Sequence, residues 1–307
     1  MRPITCVLVG LCLVLASCGE GVSVPAPMTD MAGPDAAGFN PADASTAGAN
    51  SAVAGRIASI DSDDEALAMR GYIGRDEALE IRNPDGEIIW RPQDYAFLAD
   101  EPAASVHPGL WRQAALNQIH GLFEVTPGIY QVRGYDLANM SVIEGETGRI
   151  IIDPLTSVET AQAALDLVNR ELGERPISAV ILTHSHIDHF GGVGAVAGPD
   201  TPIIAPAGFL EASVSENVMA GIVMGRRAGY MYGTQLPRSP RGPVGSGLAK
   251  PPALGPPPIA LPTHTIDPPA HPPAIDGFTS EFPSPPDPRA PPQPPPPSPP
   301  PPPLSPA

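Results

Sequence analysis

The stretch Thr183-His-Ser-His-Ile-Asp-His-Phe-Gly-Gly192 decides the fold, because it brings three imidazoles and one carboxylate within six positions. It follows an apolar run at positions 177–182, which predicts a buried strand. At the end of such a strand, the first two histidines can point to one side of the loop. The aspartate and the third histidine can then reach a second point nearby. The candidate metal ligands are His184, His186, Asp188 and His189.

Neutral imidazole and carboxylate groups are ligands that suit zinc and similar borderline metals. A water shared by two such ions ionises near neutral pH, so the cluster is suited to metal-assisted chemistry. The alternative is a polar loop whose histidines only form hydrogen bonds. Four ligand-type side chains so spaced, with two glycines after them, favour the metal site.

The sequence around this loop alternates between strand and helix patterns. Strand-like stretches lie at 122–125, 128–134, 141–144, 149–153, 177–183 and 202–205. Between the fourth and fifth, residues 156–159 predict a capped helix start, an apolar face follows, and Gly173 ends the helix. A further helix is expected after Gly208. The pattern predicts an α/β fold, one half of an αββα sandwich, with metals at the edge of the sheet.

The N-terminal residues predict an export signal. Residues 1–18 combine Arg2 with an apolar run, Ile4 to Leu15, that is too short for a comfortable membrane span. Leu15-Ala-Ser-Cys18 resembles a bacterial lipobox, which makes Cys18 the expected lipidation site. A plain signal peptide cut nearby is the alternative. We expect an exported protein, in the periplasm or on the outer membrane, with membrane contact only through the lipid.

Composition divides the remaining chain into three parts. Residues 19–60, rich in Ala, Gly, Pro, Asp and Ser, predict a flexible linker. Residues 61–250 form the expected hydrolase domain, which is only partial. Residues 251–307 predict a disordered polyproline II tail through which no sheet can continue, since proline removes backbone donors.

Two counts exclude other classes of protein. The net charge of −16 argues against a nucleic-acid partner, because no basic patch is available to neutralise phosphates. All three cysteines lie at or before Cys18, so no disulfide or cysteine metal ligand is expected in the mature body.

Several motifs in the right order resemble one known family. A strand followed by H-x-H-x-D-H and then Gly-Gly is the signature of the metallo-β-lactamase fold, and this sequence resembles it. The pieces that resemble its zinc-dependent type III alkyl sulfatase branch are 110–113 (LWRQ), 117–123 (NQIHGLF), 128–136 (GIYQVRGYD), 151–156 (IIDPLT) and 226–233 (RRAGYMYG). The resemblance runs from about Gly71 to Lys250.

The resemblance implies hydrolysis of alkyl sulfate esters, such as dodecyl sulfate, to alcohol and sulfate. His184 and His186 would hold one zinc ion, and Asp188 and His189 the other. Asp188 could alternatively accept a proton in a one-metal site. Asp153 is expected to orient the motif by hydrogen bonds rather than bind metal.

The sulfate-binding candidates are Arg226, Arg227, Tyr230 and Tyr232, although an Arg-Arg pair is more often a solvated surface. In the family, a further stretch brings in a metal-binding glutamate. Here the corresponding place is 286–291, with Arg289 where the acid should be. The family's second glutamate, another histidine ligand, the dimerisation region and the C-terminal substrate domain would lie beyond residue 307.

Two alternatives remain open. One is another hydrolase of the same fold, such as a lactonase, thioesterase or β-lactamase, although these lack the block from Leu110 to Asp136 in this form. The other is a non-catalytic, lipid-anchored, proline-rich fragment. Prolines also stand where the family tends to have threonine, so a misread or decayed gene is a further hypothesis for the tail.

Overall fold

The structure is a computed structural model. It describes residues 33–57, 63–248, 250, 260–267 and 274–279. The expected signal and lipidation segment, residues 1–18, lies outside the described residues, as does Arg289. Within the described part of the chain, no helix is both long enough and apolar enough to cross a membrane.

Strands form one large sheet and one small hairpin among the described residues. The strands are β1 (Tyr72–Gly74), β2 (Ile81–Arg82), β3 (Ile88–Trp90), β4 (Gly121–Thr126), β5 (Ile129–Arg133), β6 (Met140–Glu144), β7 (Arg149–Ile152), β8 (Ile177–Ile181), β9 (Ile203–Pro206) and β10 (His264–Ile266). The eight-stranded sheet has the order β1-β4-β5-β6-β7-β8-β9-β10, while β2 and β3 pair alone. From β1 to β7 neighbours are antiparallel, and from β7 to β10 they are parallel.

Helices connect and cover these strands. They are α1 (Ala44–Ile57), α2 (Asp64–Met69), α3 (Pro108–Leu116), α4 (Val158–Leu172), α5 (Val193–Val196), α6 (Phe209–Val214) and α7 (Gly221–Tyr232). A 3₁₀ segment, Pro92–Ala99, follows β3, and a π turn, Ser215–Met219, joins α6 to α7. The alternation predicted from the sequence is therefore present, with most strand limits moved by one or two residues.

Helix α4 shows how local sequence sets the crossover that precedes the metal loop. Ser157 caps its first turn by accepting from the Thr160 amide at 3.2 Å, and Thr160 bonds back to the Ser157 amide. These two reciprocal bonds form a capping box at 157–160, one residue later than the helix start predicted at 156–159. Ala161, Leu165 and Val168 are buried on one face, against the sheet. Helix α4 is therefore the crossover connection between β7 and the parallel strand β8.

The two faces of the large sheet carry separate apolar clusters. The face under α4 includes Leu122, Val142 and Val180. The opposite face holds six buried residues, Ile143, Ile150, Ile152, Ala179, Ile181 and Ile204, with Ile275 and Phe278 packed on them. A sheet that is apolar on both sides agrees with one half of an αββα sandwich.

Two expectations about the flanking segments are wrong in part. The linker predicted at 19–60 contains helix α1, whose Asn50 side chain donates to the Ala104 carbonyl at 2.8 Å. Alanine-rich composition favours a helix as readily as a flexible chain, and this helix packs near α3. The described side chains of α1 include no buried one, in keeping with the weak apolar pattern.

The proline-rich segment also returns to the fold. Strand β10 pairs in parallel with β9, so a sheet does continue past residue 251. His264, Thr265 and Ile266 form a run without proline, which leaves the backbone donors that a strand edge needs. The expectation of a polyproline tail is therefore wrong at these positions, and its last part lies outside the described residues.

Candidate metal centre

The metal loop lies at the carboxyl edge of the parallel strands. Strand β8 ends at Ile181, two residues earlier than predicted, and lies between β7 and β9. Residues 182–186 then turn outward, and Ile187–His189 form one 3₁₀ turn. The carboxyl edge is where α/β sheets place their functional groups, and the loop sits there as expected.

Asp153 holds the loop from the end of the neighbouring strand. Its Oδ1 accepts from the Thr183 amide at 2.8 Å, and its Oδ2 accepts from the Thr183 hydroxyl at 2.7 Å. The same Oδ2 lies 2.8 Å from Nδ1 of His189. Asp153 has φ of +55°, a left-handed conformation that Asp tolerates better than most residues. The predicted orienting role of Asp153 agrees with these contacts.

The three histidine rings lie close together. The ring centroids of His184 and His189 are 4.1 Å apart, and those of His184 and His186 are 4.7 Å apart. Nε2 of His189 lies 3.4 Å from Oδ2 of Asp188. The three predicted imidazoles therefore lie next to one another in the loop, with the Asp188 carboxylate beside His189.

Burial and neighbouring charges perturb these groups strongly. Burial, with help from the nearby His189 and His186, lowers the pKa of His184 to about 4. Burial alone would lower the pKa of His189, but hydrogen bonds to Asp153 and Asp188 raise it to about 10. Burial opposes ionisation of Asp188, yet its contacts with His189 lower its pKa. The loop therefore holds one imidazole neutral and surrounds another with negative charge.

A buried carboxylate fixes the chain segment beneath the loop. Asp136 is 1% exposed and accepts from the Thr156 amide at 3.0 Å, the Thr156 hydroxyl at 2.9 Å and the Thr160 hydroxyl at 2.7 Å. Burial raises the pKa of Asp136, although these hydrogen bonds oppose the rise. Sequence reasoning quoted Asp136 only as part of a family block and assigned it no role. Asp136 and Thr156 are 20 residues apart, and no local pattern in the sequence predicts their contact.

The two glycines after the motif are required by close backbone packing. A Cβ at Gly191 would lie 1.9 Å from the Thr156 carbonyl oxygen, and one at Gly192 would lie 2.1 Å from that of Pro154. The Gly192 amide donates to the Leu155 carbonyl at 3.0 Å. Gly-Gly therefore lets the metal loop pack directly on the turn that carries Asp153.

Two further residues contact the loop, and sequence reasoning missed both. Oε1 of Glu216 lies 3.6 Å from Nε2 of His186. Nδ2 of Asn217 donates to the Ser185 carbonyl at 3.4 Å. Both belong to the π turn after α6, about 30 residues from the motif, and no spacing in the sequence marks them.

The proposed sulfate-binding side chains all lie on α7. Arg226, Arg227 and Tyr230 are exposed, with Tyr230 89% exposed, and Tyr232 is half-buried. Arg227 donates through Nε to the Met231 sulfur at 3.1 Å. Among the contacts of the described residues, none joins these four side chains to the metal loop. Their role in binding sulfate stays a prediction.

The donor set fits a metal by its chemistry. Asp153 accepts a hydrogen bond from Nδ1 of His189, and Nε2 of that ring faces Asp188. In the part of the chain that the structure describes, however, no three His, Cys, Asp or Glu side chains already form a closed metal site. Ligation by His184, His186, Asp188 and His189 therefore remains a prediction.

Comparison with known proteins decides the family. Residues 133–268 match the family model described as the metallo-beta-lactamase superfamily. A linear primary-alkylsulfatase from Pseudomonas sp. is 46% identical over 250 residues, which cover 79% of this chain. Residues 133–268 belong to the metallo-β-lactamase superfamily. The family resemblance seen in the motifs is thereby confirmed, and membership implies a metal.

Other relatives in this superfamily are alkylsulfatases too. The alkyl/aryl-sulfatase BDS1 of Saccharomyces cerevisiae is 44% identical over 245 residues, or 78% of this chain. The solved structure of the inverting sec-alkylsulfatase Pisa1 from Pseudomonas sp. superposes with a TM-score of 0.76 at 41% identity, covering 81% of this chain. The chain spans only 37–40% of the length of these three relatives. The alkylsulfatase resemblance therefore covers part of the relatives, as expected.

Proposed function

We propose that this chain carries the metal-binding part of a hydrolase that cleaves alkyl sulfate esters to alcohol and sulfate. The proposal is supported by the H-x-H-x-D-H loop, in which Nδ1 of His189 lies 2.8 Å from Oδ2 of Asp153. The chain that carries this loop is 46% identical to a linear primary-alkylsulfatase over 250 residues. The similarity to alkylsulfatases of two organisms favours this substrate class over lactones, thioesters or β-lactams.

The residues of the loop have separate tasks in this proposal. His184 and His186 would hold one zinc ion, and Asp188 and His189 a second. Bound zinc supplies a water that ionises near neutral pH and positive charge to balance the sulfate. Asp153 accepts a hydrogen bond from Nδ1 of His189 and so keeps Nε2 of that ring facing the loop. The pKa of His184, about 4, keeps its imidazole neutral at pH 7, whereas His189, with its pKa raised to about 10, would have to release the proton on Nε2 when metal binds.

The segments around the loop fix its position. The glycines at 191 and 192 pack against the turn at 154–156, and Asp136 fixes that turn from below. Two protein ligands for each ion leave coordination positions for water and substrate, and the family supplies more ligands. We infer that full activity needs ligands from beyond the described residues.

Release of inorganic sulfate from an alkyl sulfate tests the proposal directly. We expect zinc-dependent release to be abolished in His186→Asn, because one ion would lose half of its ligands from this chain. His107→Asn is the matched control, since His107 caps α3 far along the sequence from the loop and Asn caps equally well. Equal sulfate release by the wild type and His186→Asn would overturn the proposal.

We also propose export with a lipid anchor on Cys18. Support comes from the apolar run Ile4 to Leu15 and the following Leu-Ala-Ser-Cys18. Metabolic labelling with palmitate should mark the wild type in a bacterial host and leave Cys18→Ser unlabelled. Labelling of both proteins, or of neither, would contradict the lipobox.

A further inference from the structure

A second cluster of polar groups lies away from the metal loop, between the β2–β3 hairpin, the 3₁₀ segment and residues 234–250. It lines a cavity of about 320 Å³, at the small end of the range of about 300–1,000 Å³ for ligand sites. The lining includes Trp90, Tyr95, Arg238 and Lys250. No residue of the metal loop belongs to it, so the cavity is independent of the proposed function.

Two cations flank one buried aromatic ring in this cavity. Cζ of Arg238 lies 5.5 Å from the centroid of the Tyr95 ring, and Nζ of Lys250 lies 5.6 Å from it. Tyr95 is 4% exposed and Lys250 is also 4% exposed. Neither cation forms an ion pair with a carboxylate of the described residues. Two cation-forming side chains therefore border the same ring, Arg238 half-buried and Lys250 buried.

Two buried polar atoms in the lining have no hydrogen-bond partner among the described residues. The Tyr95 hydroxyl and Nη1 of Arg238 are buried and make no hydrogen bond to the described residues. Nζ of Lys250 donates to the Asn117 carbonyl at 2.6 Å, and an ammonium carries three protons that it can donate. Buried donors without acceptors are rare in folded proteins and each needs an explanation.

The carboxylates in the same lining are already engaged. Asp94 accepts from Nε of Arg91 at 2.7 Å. Glu87 accepts from Nδ2 of Asn83 at 3.1 Å. These carboxylates keep further acceptor sites, but the buried side-chain atoms of the lining that lack a partner among the described residues are a hydroxyl and a guanidinium nitrogen, both able to donate.

We propose that the cavity bordered by Tyr95, Arg238 and Lys250 binds a small oxyanion of the sulfate and phosphate class. Such an anion offers several acceptor oxygens to donors on different elements, and its charge balances the two cations. Burial also lowers the pKa of Lys250 to about 7, and an anion beside the ammonium would restore its charged form. Trp90, fixed by its Nε1 donation to the Gly134 carbonyl at 2.9 Å, gives the cavity one apolar wall.

Isothermal titration calorimetry on the full chain, treated with a chelator to remove metal, tests the proposal. Sodium sulfate, phosphate and acetate are titrated at one ionic strength, set with chloride. We expect saturable binding of sulfate, phosphate or both, and the stronger of the two identifies the natural class. No saturable heat with either, or an equal response to acetate, would overturn the proposal.

Tyr95→Phe is the most informative variant, because it removes only a hydroxyl that has no hydrogen-bond partner among the described residues. We expect unchanged thermal stability without anion and anion binding weakened by roughly tenfold. Arg238→Gln should weaken binding further, whereas Arg82→Gln, at an exposed ion pair outside the cavity, should bind like the wild type. Undiminished affinity in Tyr95→Phe would show that the anion binds elsewhere and would contradict the assignment.

Discussion

The imidazole of His189 and the carboxylate of Asp153 lie 2.8 Å apart, from Nδ1 to Oδ2, and join the metal loop to the end of the neighbouring strand. The bond sets which nitrogen of the ring faces the loop. Since Asp153 also bonds Thr183 twice, one carboxylate positions both ends of the motif. Metal affinity should therefore depend on a residue that need not touch the metal.

Asp153→Asn tests this dependence. Asparagine keeps the size and tolerates φ of +55°, but loses the charge that attracts the His189 proton. We expect zinc affinity to fall about 10–100-fold, measured by competition with a chromogenic chelator. Asp166→Asn, on exposed α4 surface, is the control and should bind like the wild type. Equal affinities in Asp153→Asn and the wild type would remove the orienting role.

Gly191→Ala tests the packing of the loop on the turn at 154–156. A Cβ 1.9 Å from the Thr156 carbonyl oxygen forces the backbone apart, so we expect the free energy of unfolding to fall by about 1–3 kcal/mol. Urea unfolding followed by circular dichroism measures it. Gly194→Ala, within helix α5, is the control, because its new methyl group contacts Val158 at an ordinary 3.5 Å. The free energy of unfolding of this variant should stay the same or rise, since alanine favours a helix more than glycine. Similar losses in both variants would count against the packing argument.

Asp276→Asn tests whether residues 274–279 hold the β6–β7 turn. Asp276 accepts from the Thr147 amide and hydroxyl, the Gly148 amide and the Ser178 hydroxyl, at 2.7–2.9 Å. The hydrogen bonds from Ser178 and Thr147 lower the pKa of Asp276 well below its ordinary value. A depressed carboxyl pKa gives stability that is complete above the unfolded-state pKa and is lost as the pH falls through the folded-state value.

We therefore expect Asp276→Asn to unfold at lower urea than the wild type at pH 7, and the difference to shrink below about pH 4. The comparison of urea midpoints at the two pH values measures this. A difference that is independent of pH would assign the effect to shape rather than to charge.

Lys250→Met tests the cost of burying an ammonium. Burial lowers the pKa of Lys250 from 10.5 to about 7, so the folded state binds fewer protons than the unfolded state between these values. Stability of the wild type should then rise with pH across that window. We expect Lys250→Met to be more stable by about 1–3 kcal/mol at pH 6 without added anion. The gain should fall as the pH approaches 10, and a constant gain would contradict the shifted pKa.

The sequence predicted the strands and helices that depend on patterns of neighbouring residues. Alternating apolar positions predicted β4 to β9 and α4, and the spacing of the motif placed four ligand-type side chains in one loop. The sequence was insufficient where a contact joins distant residues. Glu216 near His186 and Asp136 beneath Thr156 carry no local signal, because only the fold brings these pairs together.

Composition misled the prediction at both ends of the chain. The density of proline after residue 251 hid the short run at 264–266, which has the donors to extend the sheet beside β9. The Ala- and Gly-rich stretch before residue 60 hid helix α1. In both places the prediction rested on the average composition of tens of residues. A few residues within each stretch have different backbone preferences, and they form the strand and the helix.

The most direct test of the central claim is the zinc content of the purified chain, measured by inductively coupled plasma mass spectrometry after dialysis against buffered zinc. The account predicts that the wild type binds zinc. In the double variant His184→Asn/His186→Asn, the zinc content should be at most half of the wild-type value. His107→Asn should retain the wild-type content. Zinc content unchanged by the double variant would show that the H-x-H-x-D-H loop is not the metal site and would contradict the account.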